Sequence, residues 1–180
     1  MNDRVKGRIE SLLEREDHEA LLHLERSQPG RVIRYLTGRL CSAREEEKWR
    51  AIRALGLVVG DVQLVSRRRA VDLLRRFVWA LNDESGAVPY GVPEAIGEVL
   101  AVRPELQGDF FPILCSLLTE EDILQTGPIE RGAIWALGRI GPPVARYSPE
   151  AVEAIKVASE THPDCDTRKV AARSLASVLG

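Results

Sequence analysis

The chain has 180 residues, 44% hydrophobic, 29% charged and only 5% aromatic, with a formal net charge of −2. That length suits one compact domain or one short array of repeats. The near-neutral balance gives the molecule as a whole no strong pull towards nucleic acid or anionic lipid, so neither is expected as a partner.

Charge is nonetheless unevenly placed. Residues 1–90 carry 17 Lys/Arg and 14 Asp/Glu, giving +3, and residues 91–180 carry 8 and 13, giving −5. Ordinary surface variation accounts for such a difference as readily as a docking role does. Cys41, Cys115 and Cys165 are far apart and form no CxxC. Cys41 and Cys115 stand in apolar helical contexts, which predicts buried reduced thiols and a cytoplasmic setting. The opening MNDRVKGRIE lacks the apolar core of a secretory signal, and no apolar run approaches the ~18 residues of a membrane span.

From end to end, helix-length amphipathic segments alternate with turn residues. Val5, Ile9, Leu12 and Leu13 predict a helix over residues 3–15. Asp17 caps a second, with Leu21, Leu22 and Leu24 inward, and Pro29 opens a third that buries Val32, Ile33, Leu36 and Leu40. A fourth runs from Glu45 to Val59 and stops at Gly60-Asp61. Ser66 caps a fifth, whose apolar stripe is Val71, Leu74, Phe77, Val78 and Leu81; Arg68, Asp72, Arg75 and Trp79 lie on its other side. Pro93 starts a sixth, ended by Arg103-Pro104. Phe110–Leu118 is a short seventh with Pro112 near its first turn, and Glu130–Ile140 an eighth closed by Gly141-Pro142-Pro143. Ser148-Pro149-Glu150 opens a ninth, with an oxygen cap, Pro at N1 and an acid at the positive dipole end. Asp164 or Asp166 caps a tenth. No segment reads as a strand, so the fold class is all-α.

Four segments superpose without gaps: Glu47–Gly56 (EKWRAIRALG), Val92–Ala101 (VPEAIGEVLA), Ile129–Gly138 (IERGAIWALG) and Thr167–Ala176 (TRKVAARSLA). Each carries Leu (55, 100, 137, 175) followed by Gly or Ala, with small residues three or four positions earlier. The small residues allow neighbouring helices to approach, the Leu fills the space between them, and the Gly loosens the turn for chain reversal. A helix pair of this kind cannot bury both apolar faces alone, so neighbours must stack.

This pattern resembles the first helix of a HEAT repeat, and ALGRIG at Ala136–Gly141 resembles the HEAT-like repeats of phycobilisome lyases. The likeness covers about residues 17–180; Pro93 departs from it, standing where the family usually has a charged residue. It implies a single domain, residues 1–180, built as a right-handed α-α superhelix, a HEAT-like solenoid of about five helix pairs. The first helices lie near 47–56, 92–101, 129–138 and 167–176, and divergent helices occupy 3–42. It also implies a concave groove lined by second helices, to which Arg31, Arg34, Arg68, Arg75 and Trp79 contribute. The block Trp79-Ala80-Leu81-Asn82-Asp83-Glu84-Ser85-Gly86 with Pro93-Glu94-Ala95-Ile96-Gly97-Glu98 is similar to one in a family of small bacterial HEAT-like proteins. That likeness brings no activity with it.

For function, polar and aromatic residues gather at one repeat junction. Trp79, Asn82, Glu84, Glu94, Glu98, Arg131 and Trp135 are the candidate partner-binding residues, with Arg68 and Arg75 as a basic stripe. Glu94 and Glu98 lie one turn apart, a like-charge spacing that costs roughly 0.2–0.5 kcal/mol unless a cation offsets it. A metal, an Arg such as Arg75 or Arg131, or a basic ligand fits that role. The plainer assignment makes Glu94 a helix-start residue and pairs Glu98 with an Arg of the next repeat. Trp49 reads as packing; Trp79 and Trp135 suit either a seam or a stacking surface. Ser66-Arg67-Arg68-Arg69 with Arg75-Arg76 reads as a solvated face before a phosphate site. His18, His23 and His162 have no ligand spacing, and no nucleophile elbow, P-loop or dinucleotide fingerprint appears. No catalytic residue, metal ligand or cofactor is therefore assigned. The expectation is a non-catalytic scaffold that holds a protein or peptide in the groove. The alternative, resting on the repeat likeness alone, is a tetrapyrrole (bilin) lyase- or chaperone-like protein.

Overall fold

The computed structural model describes residues 3–81, 90–120 and 127–180, and these are helical without a strand. The helices are α1 (Asp3–Glu14), α2 (His18–Ser27), α3 (Arg31–Arg39), α4 (Glu45–Gly60), α5 (Arg67–Leu81), α6 (Val92–Val102), α7 (Gln107–Thr119), α8 (Pro128–Ile140), α9 (Pro143–Tyr147), α10 (Pro149–Thr161) and α11 (Cys165–Leu179). A 3₁₀ turn, Pro104–Leu106, joins α6 to α7. None of these helices is long and apolar enough to cross a membrane.

Local chemistry sets most of the boundaries. The Asp17 side chain accepts from the Ala20 N–H at 3.0 Å, and Ser148 Oγ from the Ala151 N–H at 3.2 Å. For α11 the cap is Asp164, which accepts from the Thr167 N–H at 3.0 Å and the Thr167 hydroxyl at 2.7 Å. These bonds satisfy amide groups that the first turn leaves without partners. Helix α3 departs from the expected Pro start. Pro29 precedes a Gly30 cap with φ of 82°, and the first-turn amides are served from outside the helix. Gly30 N–H and Val32 N–H donate to the two carboxylate oxygens of Glu25, at 2.5 and 3.1 Å. Pro112 falls inside α7, which starts at Gln107 rather than Phe110. The pentapeptide helix α9 was not anticipated; Pro142 and Pro143 restart a turn instead of merely ending α8.

The four look-alike segments lie in α4, α6, α8 and α11, and these helices pack in that order, α4 on α6, α6 on α8, α8 on α11. Leu55, Leu100 and Leu137 are fully buried between them, each contributing roughly 1.5–3 kcal/mol through burial. Leu175, on the last helix of the row, is only partly covered. Helix α7 packs on both α8 and α10, and α10 on α11, behind this row. At the other end α3 and α2 pack against α4.

The repeat glycines act differently from the expectation. Gly56 and Gly138 lie within α4 and α8 rather than at turns, and the next helix of the row presses on each. A Cβ on Gly56 would stand 2.5 Å from Glu98 Cγ, and one on Gly138 2.6 Å from Ser174 Cα. Gly97 of α6 meets the α8 backbone in the same way, its notional Cβ falling 2.5 Å from Ala136 Cα. Removing the side chain lets two helix backbones approach closely.

Arg103 ties the rear of this row and was missed by the sequence reading. It is 3% exposed, and its Nη1 donates to the Val59 and Val65 carbonyls at 2.9 and 3.0 Å. It thereby satisfies carbonyls where α4 ends and the chain turns towards α5.

Candidate functional site

Helix α6 is buried along its whole front, Val92 to Leu100, because α4 and α8 flank it and α5 and α7 back it. Both of its glutamates are consequently inside. Glu98 lies against Gly56 of α4 and accepts from Arg139 of α8 twice, Nε at 2.7 Å and Nη2 at 3.2 Å. This is the pairing with the next repeat that its position suggested. Glu94 is 6% exposed and leans on Gly132, where a Cβ would fall 2.6 Å from its Oε2. That oxygen is buried without a hydrogen-bond partner among the described residues. Burial pushes the Glu94 carboxyl above its ordinary value; its own N–H and the Lys48 and Arg131 charges pull the other way, and Glu45 adds to the rise.

The cations nearest Glu94 are already engaged. Buried Lys48 donates to Glu45 at 2.7 Å, and Arg131 pairs with the α11 cap Asp164 at 3.3 Å. Trp49 and Trp135 meet edge-on, ring centroids 4.8 Å apart, and the Trp49 indole N–H donates to Glu45 at 3.1 Å. Trp135 is thus a seam residue of the row, half-covered by its partner ring.

Helices α3 and α5 present a different surface. Between them opens a cleft of about 290 Å³ lined by Ile33, Arg34, Thr37, Arg69, Asp72, Leu73 and Arg76, with Gly30 at one end. Arg69 is held in place: Nη1 donates to the Leu64 carbonyl at 2.9 Å and Nη2 to Glu25 at 3.0 Å. Glu25 is 1% exposed, so one buried carboxylate both caps α3 and fixes Arg69 at the cleft. Arg76 Nε donates to the Asp72 carbonyl at 3.2 Å.

The proposed basic stripe lies beside this cleft, not in it. Arg68 and Arg75 are exposed on α5, while their chain neighbours Arg69 and Arg76 line the opening. The reason is the rotation of α5. Its buried residues are Ala70, Leu73, Leu74 and Phe77, whereas Val71, Val78 and Leu81 are half-covered. Ala70 and Leu73 face the core in place of Val71 and Val78, so the helix is rotated by part of a turn from the expected orientation. Trp79 is 77% exposed, the most open of the large hydrophobic side chains described.

The structure therefore separates the predicted residues. Glu94, Glu98, Arg131 and Trp135 lie in the seams of the α4–α6–α8–α11 row; Arg68, Arg75 and Trp79 stand on the α5 surface. Asn82 and Glu84, with Asp83, Ser85 and Gly86, lie outside the described residues. The thiols also divide: Cys115 is buried, which pushes it up to about 11, whereas Cys41 is exposed beyond the end of α3, contrary to the expectation. Among the described residues no group of three or more His, Cys, Asp or Glu side chains is placed to hold a metal ion. Comparison with protein-family models, curated proteins and solved structures gives no match.

Proposed function

We propose that the chain is a short HEAT-like solenoid that works as a non-catalytic interaction module, holding a protein partner on the surface of its second helices. The observation that carries this reading is Trp79, exposed at 77% on α5, the helix that also supplies Arg69, Asp72, Leu73 and Arg76 to the open cleft. Exposing a large indole to water is unfavourable, and Trp is enriched among residues that dominate binding energy at interfaces. The packing order α4, α6, α8, α11 supports the solenoid part of the reading, since each repeat helix meets its neighbours in sequence. In such an array the second helices are left to face a partner.

The test is affinity capture with the immobilised protein, comparing wild type with Trp79→Ala. The variant is expected to lose one or more captured proteins while its far-ultraviolet circular dichroism stays unchanged. An identical captured set would remove this reading.

A further inference from the structure

We propose that the α3–α5 cleft recognises the carboxylate side chains of an acidic, leucine-containing peptide segment of the partner. This rests on the interaction-module reading and gives it a chemistry. Three guanidinium groups, Arg34 from α3 and Arg69 and Arg76 from α5, surround a floor made by Ile33 and Leu73. Arg69 is pre-organised by Leu64 and the buried Glu25. With five donors on a guanidinium, it keeps N–H groups for an incoming acceptor. Arg34 is exposed and makes no ion pair among the described residues.

Three guanidiniums around one opening repel each other, and Asp72 and Glu25 offset that repulsion only in part. A carboxylate completes the balance and pairs with Arg in bidentate fashion. Two features favour a peptide over a polyphosphate or nucleic acid. Asp72 stands in the cleft and Glu25 directly behind Arg69, so a multiply charged phosphate meets two acids. The floor is apolar and accepts the methylenes of a Glu side chain or a neighbouring Leu. Trp79, three residues beyond Arg76, lies on an adjoining part of the helix surface.

Fluorescence anisotropy with a fluorescein-labelled peptide of Glu and Leu tests this. Wild type is expected to bind with an affinity that weakens as salt rises. Arg34→Glu/Arg76→Glu is expected to weaken binding at least about tenfold; Arg34→Lys/Arg76→Lys should fall between, because Lys cannot pair in a planar fork. Arg53→Glu, a reversal at an exposed position on α4, should leave binding unchanged, and a peptide with Lys in place of Glu should not bind. Circular dichroism verifies the fold of each variant. Peptide binding indifferent to the Arg34/Arg76 reversal would overturn the proposal. So would saturation by inorganic phosphate without peptide binding, or a change in sedimentation showing that a second copy fills the cleft. If the peptide fails while a Trp79-dependent partner is still captured, only the carboxylate assignment falls. If no Trp79-dependent partner exists, the module reading beneath it falls as well.

Discussion

At the scale of single residues, two carboxylates respond to pH in opposite directions. Desolvation holds the Glu94 carboxyl above the ordinary glutamate value of 4.5. The folded chain then binds that proton more tightly than the unfolded chain does. Its contribution is most favourable below 4.5, declines as the pH rises through the raised value and levels off above it. Glu94→Gln should remove this decline. The variant is expected to match wild type at low pH and exceed it by about 1–3 kcal/mol in mildly alkaline buffer, the range for a buried group without a partner. Urea unfolding at several pH values measures it, and a difference that does not vary with pH would refute the assignment. Asp164 behaves conversely. Bonds from the Thr167 hydroxyl and the Thr167 N–H lower it from 3.8 to about 2. Its stabilisation is present above 3.8 and is lost as the pH falls through about 2. Asp164→Asn should flatten that part of the acid-unfolding curve.

At the scale of helices, glycine placement decides how closely the row packs. Gly97→Ala puts a Cβ 2.5 Å from the Ala136 backbone. The expected cost is about 1–3 kcal/mol from overpacking, although Ala is the better helix former by roughly 1 kcal/mol. Gly7 is the control: it lies in α1 with nothing within 4 Å of a Cβ, so Gly7→Ala should stabilise by up to about 1 kcal/mol. Thermal melting of the two variants should move in opposite directions. Arg139 links α8 to the carboxylate that α6 lays against α4. Arg139→Ala is expected to destabilise by about 1–3 kcal/mol, because it leaves the buried Glu98 carboxylate unpaired. Substituting both residues by methionine tests this, since removing both charges should recover part of the loss.

At the scale of the molecule, stability should be carried between neighbours along the row. Helix α11 packs on α8 and α10. A chain stopped after Thr161 is expected to keep amide-exchange protection in α1, α2 and α3 and to lose it first in α8 and α10. Loss spread evenly over every helix would instead mark one fully cooperative unit.

Much of this architecture was legible in the residues themselves. Helix starts followed from Asp17, Ser148 and Asp164, because a capping side chain acts on amides two or three residues away and needs no tertiary contact. The four decapeptides gave the row for a related reason: a repeated Leu with small neighbours is a demand for stacking, and the demand is written locally. What only the packed chain decided was direction. The Arg partner of Glu98 was legible in its position, but the burial of Glu94 and Glu98 was not: they are enclosed because α6 has neighbours on both sides. Arg69 and Arg76 reach the cleft, and Arg68 and Arg75 do not, because Ala70 rather than Val71 faces the core. Glu25 serves α3 and Arg69 together across 5 to 44 residues of chain. Such choices turn on which face of a helix its neighbours cover, and that free energy belongs to contacts between residues remote in sequence.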